Sequence, residues 1–143
     1  MSNAWWAYGS EFQIGTTKVA EIIDINGPSM TKDAIDVSHN DGTAGDGWRS
    51  FVPGWRDGGE VGITANWIPV AATHDGSTGL LSKFTGDALQ AFKIETPAGS
   101  DGSSGTIVIS FNGVVTSFNP TFPLTEQGRL DCTIKISGAV TIV

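Results

Sequence analysis

The sequence is poor in charge, in basic residues above all, and in cysteine and histidine. Charged residues are 16% of the chain, against about 25% in an average soluble protein. Eight Lys and Arg stand against fifteen Asp and Glu, a formal charge of −7, and the basic residues are scattered singly. Nucleic-acid binding through counterion release needs them clustered, so DNA or RNA recognition is disfavoured. The one cysteine, Cys132, has no internal partner for a disulfide, which suits a reducing compartment. With only His39 and His74 beside it, no zinc-ligand spacing arises, and no cofactor or metal is expected. No apolar run approaches the length of about 20 residues that spans a bilayer, so no membrane partner is expected. The first ten residues lack the basic and apolar regions of a secretory signal.

What is abundant points to strands and turns. Glycine reaches 19 of 143 residues and hydrophobic residues 39%, so polarity comes mainly from Ser, Thr, Asn and Gly. A chain this long buries roughly two-thirds of its unfolded surface around one core. The reading is a single domain over 1–143, with an N-terminal arm over about 1–10 and a long inter-strand loop over 38–50.

Period-2 alternation carries the fold class. Over Glu60–Trp67 the residues Val61, Ile63, Ala65 and Trp67 are apolar and the intervening ones small or polar. Over Leu130–Ser137 the residues Leu130, Cys132, Ile134 and Ile136 repeat the pattern. The β-branched run Thr106–Phe111 is followed by Asn112-Gly113 and then by Val114 and Phe118 in shifted phase. This predicts a two-residue hairpin, slightly preferred to a bulge at Gly113 in one long strand. Shorter strands are expected at Glu11–Ile14, Lys18–Ile25, Ala34–Val37, Phe51–Trp55 and Gln90–Thr96. One helix is expected where Leu80, Leu81, Phe84 and Ala88 recur, capped by Asp75 or Ser77 and ended near Gly86. The sum is a mainly β protein, a β-sandwich or barrel with one flanking α-helix.

Candidate chemistry is sparse. His39 and His74 lie near Asp41, Asp46 and Asp75, yet no nucleophile elbow is present, and both histidines read as solvated loop residues. The Asn40–Gly47 loop lacks the spacing of a calcium loop and reads as turn chemistry. Asp33 and Asp36, or Asp57 and Glu60, read as solvated strand ends. Trp5, Trp6, Trp48 and Trp55 offer an aromatic platform for sugar rings. Core or subunit interface is the preferred reading for them, with Trp67 on the core face of its strand.

Two stretches carry a family resemblance. Ala34-Ile35-Asp36-Val37-Ser38-His39-Asn40-Asp41, followed by Trp48–Pro69 with its Pro53-Gly54-Trp55-Arg56-Asp57-Gly58-Gly59-Glu60-Val61, resembles the major tail tube proteins of long-tailed, non-contractile bacteriophages. Gln90–Ile94, Phe111–Phe118 and Lys135–Gly138 continue the likeness in the family's order.

The resemblance implies a β-sandwich or barrel-like tail-tube fold with a flanking helix. It implies a non-enzymatic virion protein, assembled in the bacterial cytoplasm into stacked six-membered rings that conduct DNA. The implied partners are other copies of itself, the tape measure and tail terminator proteins, and DNA only in passing through the lumen. It also makes the 38–49 loop available to bridge rings, with His39, Asn40, Asp41, Asp46, Trp48 and Arg49 as contact candidates. A carbohydrate-binding module using exposed Trp residues is the alternative, and a hydrolase built on His39 or His74 a distant third.

Overall fold

A computed structural model describes residues 4–39, 47–100 and 103–143. It contains nine strands and one helix among them: β1 (Glu11–Ile14), β2 (Thr17–Lys18), β3 (Ile22–Asn26), β4 (Thr31–Asp36), β5 (Phe51–Asp57), β6 (Glu60–Asn66), α1 (Leu80–Thr85), β7 (Gln90–Glu95), β8 (Val108–Thr121) and β9 (Arg129–Ile142). Seven strands make one antiparallel sheet in the order β2-β1-β7-β8-β9-β6-β3, and β4 and β5 pair only with each other. The sheet begins with β2 and ends with β3, which the chain joins through only Val19–Glu21. So short a link spans about 10 Å, and the sheet must curl to bring its ends together. The sandwich-or-barrel expectation is met by this one curled sheet.

The two alternating segments pair with each other. Val61 lies opposite Ile134, Ile63 opposite Cys132 and Ala65 opposite Leu130, and all six are buried. Each strand therefore delivers its apolar face to the same core. Across the sheet an aromatic row continues it. Phe92 stands opposite Phe111 with ring centroids 5.9 Å apart, and Phe12 approaches Phe92 at 5.6 Å. Leu80 of α1 reaches the same core, and Trp67 packs against its rim.

Four expectations change. Asn112-Gly113 is not a turn, because β8 runs unbroken through it, with Ala91 opposite Asn112 and Gln90 opposite Gly113. The glycine is there for proximity, since a Cβ on Gly113 would lie 2.6 Å from the Lys135 carbonyl oxygen. The phase shift is real but falls between Val115 and Ser117, where β8 gains a residue against β9. Hence Phe111, Val115 and Phe118 meet the core and Val114 does not.

The helix is shorter than expected and starts at Gly79 without a side-chain cap. Asp75 instead closes the preceding turn, accepting from the amides of Ser77, Thr78 and Gly79 at 3.0–3.1 Å. These bonds hold its carboxyl below the usual carboxylate range. Phe84 remains exposed. Lys18–Ile25 is interrupted, with Glu21 at φ 51, as closing the curled sheet requires.

His74, expected in solvent, is 1% exposed. Its Nε2 donates to the Ala20 carbonyl at 3.0 Å and its Nδ1 accepts from the Ile68 amide at 3.2 Å. The ring fastens two loops beneath α1 and has no nitrogen left to act as a base.

Candidate assembly surface

The β4–β5 hairpin stands off the sheet, and its residues are exposed on both faces apart from Gly54. Ile35 lies opposite Val52, Asp36 opposite Phe51 and Ala34 opposite Pro53, so apolar side chains occupy both sides of the ribbon. Trp55 is 86% exposed and Trp48, just before β5, 83%. A lone two-stranded ribbon is marginal in water, and so much uncovered apolar surface marks a contact with another molecule.

The outer end of the hairpin is fastened by polar bonds. The Val37 amide donates to the Ser50 carbonyl at 2.9 Å, the Ser50 amide to the Ser38 hydroxyl at 2.8 Å, and the Ser38 amide to Asp36 at 2.8 Å. The Ser38 hydroxyl and amide together hold the Asp36 carboxyl below its ordinary range. Arg49 lies 4.0 Å from the same carboxylate. Of the contact candidates from the sequence, His39, Trp48 and Arg49 are therefore exposed at the mouth of the loop. Asn40, Asp41 and Asp46 lie outside the described residues.

The inner end is locked. Lys135 of β9 donates to both oxygens of Asp57, at 3.1 and 3.2 Å, and Asp57 also accepts from the Gly59 amide at 2.8 Å. The amide first and the ammonium second hold the Asp57 carboxyl below the usual range. Gly59 has φ +74, and a Cβ there would lie 2.0 Å from the Ser29 carbonyl oxygen. The two chain segments entering and leaving the hairpin thus touch backbone to backbone. Between the hairpin foot and β9 lies a groove of about 680 Å³, lined among others by Met30, Trp55, Ile136 and Val140.

A second apolar element is the N-terminal arm, where Trp6 and Tyr8 stack at 5.0 Å and both are exposed. Trp67 alone of the five tryptophans joins the core margin, edge-on to Phe122. Core packing thus does not account for Trp5, Trp6, Trp48 or Trp55, and no two Trp rings stack among the described residues. The sequence hid the hairpin as a surface because alternation shows that two faces differ, not whether either is covered.

Chemistry is thin elsewhere. Among the described residues no group of three His, Cys, Asp or Glu side chains could hold a metal ion, and no helix is long and apolar enough to cross a membrane. Cys132 is buried between β6 and β8, and desolvation pushes its thiol up to about 12.

Residues 8–142 match the family model described as lambda phage tail tube protein. No curated protein sequence matches the chain. Among solved structures, a chain from the sheath/tube terminator of an extracellular contractile injection system (PVC) in its extended state is 17% identical, with TM-score 0.72 over 98% of this chain and 96% of that one. A chain of a native gene transfer agent virion is 12% identical, with TM-score 0.74 over 98% and 99%. The tube-terminating cap of the anti-feeding prophage is 16% identical, with TM-score 0.73 over 100% and 93%. At these identities the likeness is one of fold.

Proposed function

Since the chain belongs to the lambda phage tail tube protein family, structural components of the virion tail, we propose that it assembles in the host cytoplasm into stacked hexameric rings that conduct DNA. The β4–β5 hairpin carries the reading. It is a rigidly footed ribbon with both faces apolar and uncovered, a form suited to lying between other copies of the chain. The chain acts as one tube domain, with arms at about 1–10 and 38–50, and His39, Asn40, Asp41, Asp46, Trp48 and Arg49 make contacts between rings. Terminator and tape measure proteins are its further partners in the tail, and catalysis has no part in its role.

The acidic balance suits a conduit. Each copy contributes −7, and duplex DNA carries one negative charge per about 1.7 Å, so a lumen sharing the subunit's sign lets DNA slide without adhering. Electron microscopy of the purified, concentrated protein tests the reading. Rings and tubes are expected from the intact chain. A chain whose 38–49 loop is replaced by a short Gly-Ser bridge should fold and form no tubes. Normal tubes from that variant would remove the loop from the inter-ring contact, and an intact chain that stays monomeric at every concentration would remove the whole reading.

A further inference from the structure

The N-terminal arm leaves β1 through a fixed turn. The Ser10 amide and hydroxyl both donate to the Ala7 carbonyl, at 3.1 and 2.7 Å. Gly9 has φ +96, and a Cβ there would lie 3.4 Å from Pro97 Cβ, so the turn rests against the chain just after β7. The Trp6 and Tyr8 rings, stacked on each other and exposed, are thus held in one arrangement before any partner meets them, which lowers the cost of ordering them on contact.

The groove beneath Trp55 has the complementary chemistry. Met30, Ile136 and Val140 make part of its lining apolar, and Lys32 and Arg56, opposite each other across β4–β5, line it too. Neither cation pairs with a carboxylate among the described residues. An aliphatic occupant would bury them without a partner, whereas an aromatic face attracts a cation and packs on apolar surface at once. Residues 1–10 carry no charged side chain and three aromatic ones. The groove's volume of about 680 Å³ lies in the range that holds a drug-sized molecule, room enough for two rings.

The fold places arm and groove at one end of the sheet and on opposite flanks. Glu11 lies opposite Glu95, Glu95 opposite Val108, and Val108 exchanges two hydrogen bonds with Val143. One row therefore runs from the root of the arm to the end of β9. Val140 lies three residues below that row, about 10 Å at the rise of a strand, within the reach of the few residues that carry Trp6. In the same copy three strand spacings, about 14 Å, separate β1 from β9, and no residue of the arm lines the groove. A second exposed apolar group, Val70, Phe122 and Leu124, lies past the far ends of β6 and β8.

We infer that the Trp6–Tyr8 stack of one copy fills the groove beneath Trp55 of its neighbour in the ring. The inference rests on the ring reading above and names an aromatic clasp within it. Copies related by rotation about an axis along the strands keep their ends level, so the flank bearing the arm meets the flank bearing the groove, and the far-end apolar group stays out of reach. Arm and groove are unlike surfaces, so the contact repeats head to tail around a closed ring.

Cross-linking with a short bismaleimide tests it, in variants carrying A7C, T31C or both, at exposed positions. Cys132 is buried and does not react. The double variant should give a ladder of covalent oligomers that ends at one ring, a mixture of the two single variants should give dimers, and either alone should give none. A link within single copies at high dilution, a ladder that runs on past one ring in tubes, or rings that yield no ladder would each overturn the clasp. W6A/Y8A and K32Q/R56Q provide a second measurement. Both should keep the thermal midpoint and raise the concentration needed for rings about tenfold or more, while W6F/Y8F assembles near the level of the intact chain. Unchanged assembly of W6A/Y8A would overturn the clasp and leave the tube reading standing, whereas an intact chain that forms no rings would overturn both.

Discussion

Lys135 of β9 holds the Asp57 carboxylate at 3.1 and 3.2 Å, and through it the foot of the β4–β5 hairpin is tied to the curled sheet. Both side chains are accessible, so the pair adds little to unfolding stability. Its effect lies in where the hairpin points. D57N should leave the thermal midpoint nearly unchanged and weaken assembly, read as a higher critical concentration in sedimentation.

The same pair sets an acid limit. The Asp57 carboxyl is held below its ordinary range, so the folded form favours the ionised group. The tie is complete above the ordinary carboxylate pKa and is lost as pH falls through the folded value. Assembly is expected to be flat above about pH 5 and to loosen in more acid solution. Light scattering against pH should show that step in the intact chain and a smaller one in D57N.

Gly59 tests the locked foot. A Cβ there would collide with the Ser29 carbonyl oxygen, and its φ of +74 suits no other residue well. G59A should destabilise the fold by about 1–3 kcal/mol in urea unfolding. An unchanged midpoint would show that the foot yields.

Trp48 and Trp55 should matter to assembly and not to folding. W48A and W55A remove side chains that lie mostly in water, so stability should move by no more than about 0.5 kcal/mol. Tubes should become sparse or absent by electron microscopy.

His74 should behave in the opposite way. Removing its ring strands the Ala20 carbonyl and the Ile68 amide, and H74A should cost about 2–4 kcal/mol in denaturant unfolding. H39A, at an exposed position, should cost little.

DNA affinity should be undetectable at physiological salt and should not rise as salt is lowered. Four of the eight cations, Lys18, Arg49, Arg129 and Lys135, lie against a carboxylate, and Lys32 and Arg56, opposite each other across β4–β5, make a pair too small to drive binding by counterion release. Fluorescence anisotropy with a duplex decides it, and micromolar binding that strengthens steeply at low salt would end the passive-conduit account.

Local sequence determined the elements whose pattern is local. The alternation at Val61, Ile63 and Ala65 and at Leu130, Cys132, Ile134 and Ile136 predicts two half-buried strands, because side chains two apart share a face whatever the partner. It also determined the assembly family, through the Ile35-Asp36-Val37 strand and the Pro53–Val61 stretch that foots the hairpin. Only the tertiary structure decided what those faces meet. Asn112-Gly113 has the chemistry of a turn, yet β7 on one side and β9 on the other hold it straight, and the phase slips at Val115–Ser117 instead. His74 looks like a loop residue until Ala20, distant in sequence, supplies a carbonyl for its ring and the fold of its own loop brings up the Ile68 amide. The strands β4 and β5 read as two more short strands until the curled sheet leaves them standing outside it. Burial and hydrogen-bond partnership are properties of chain segments brought together from afar, and a period of two residues carries no record of them.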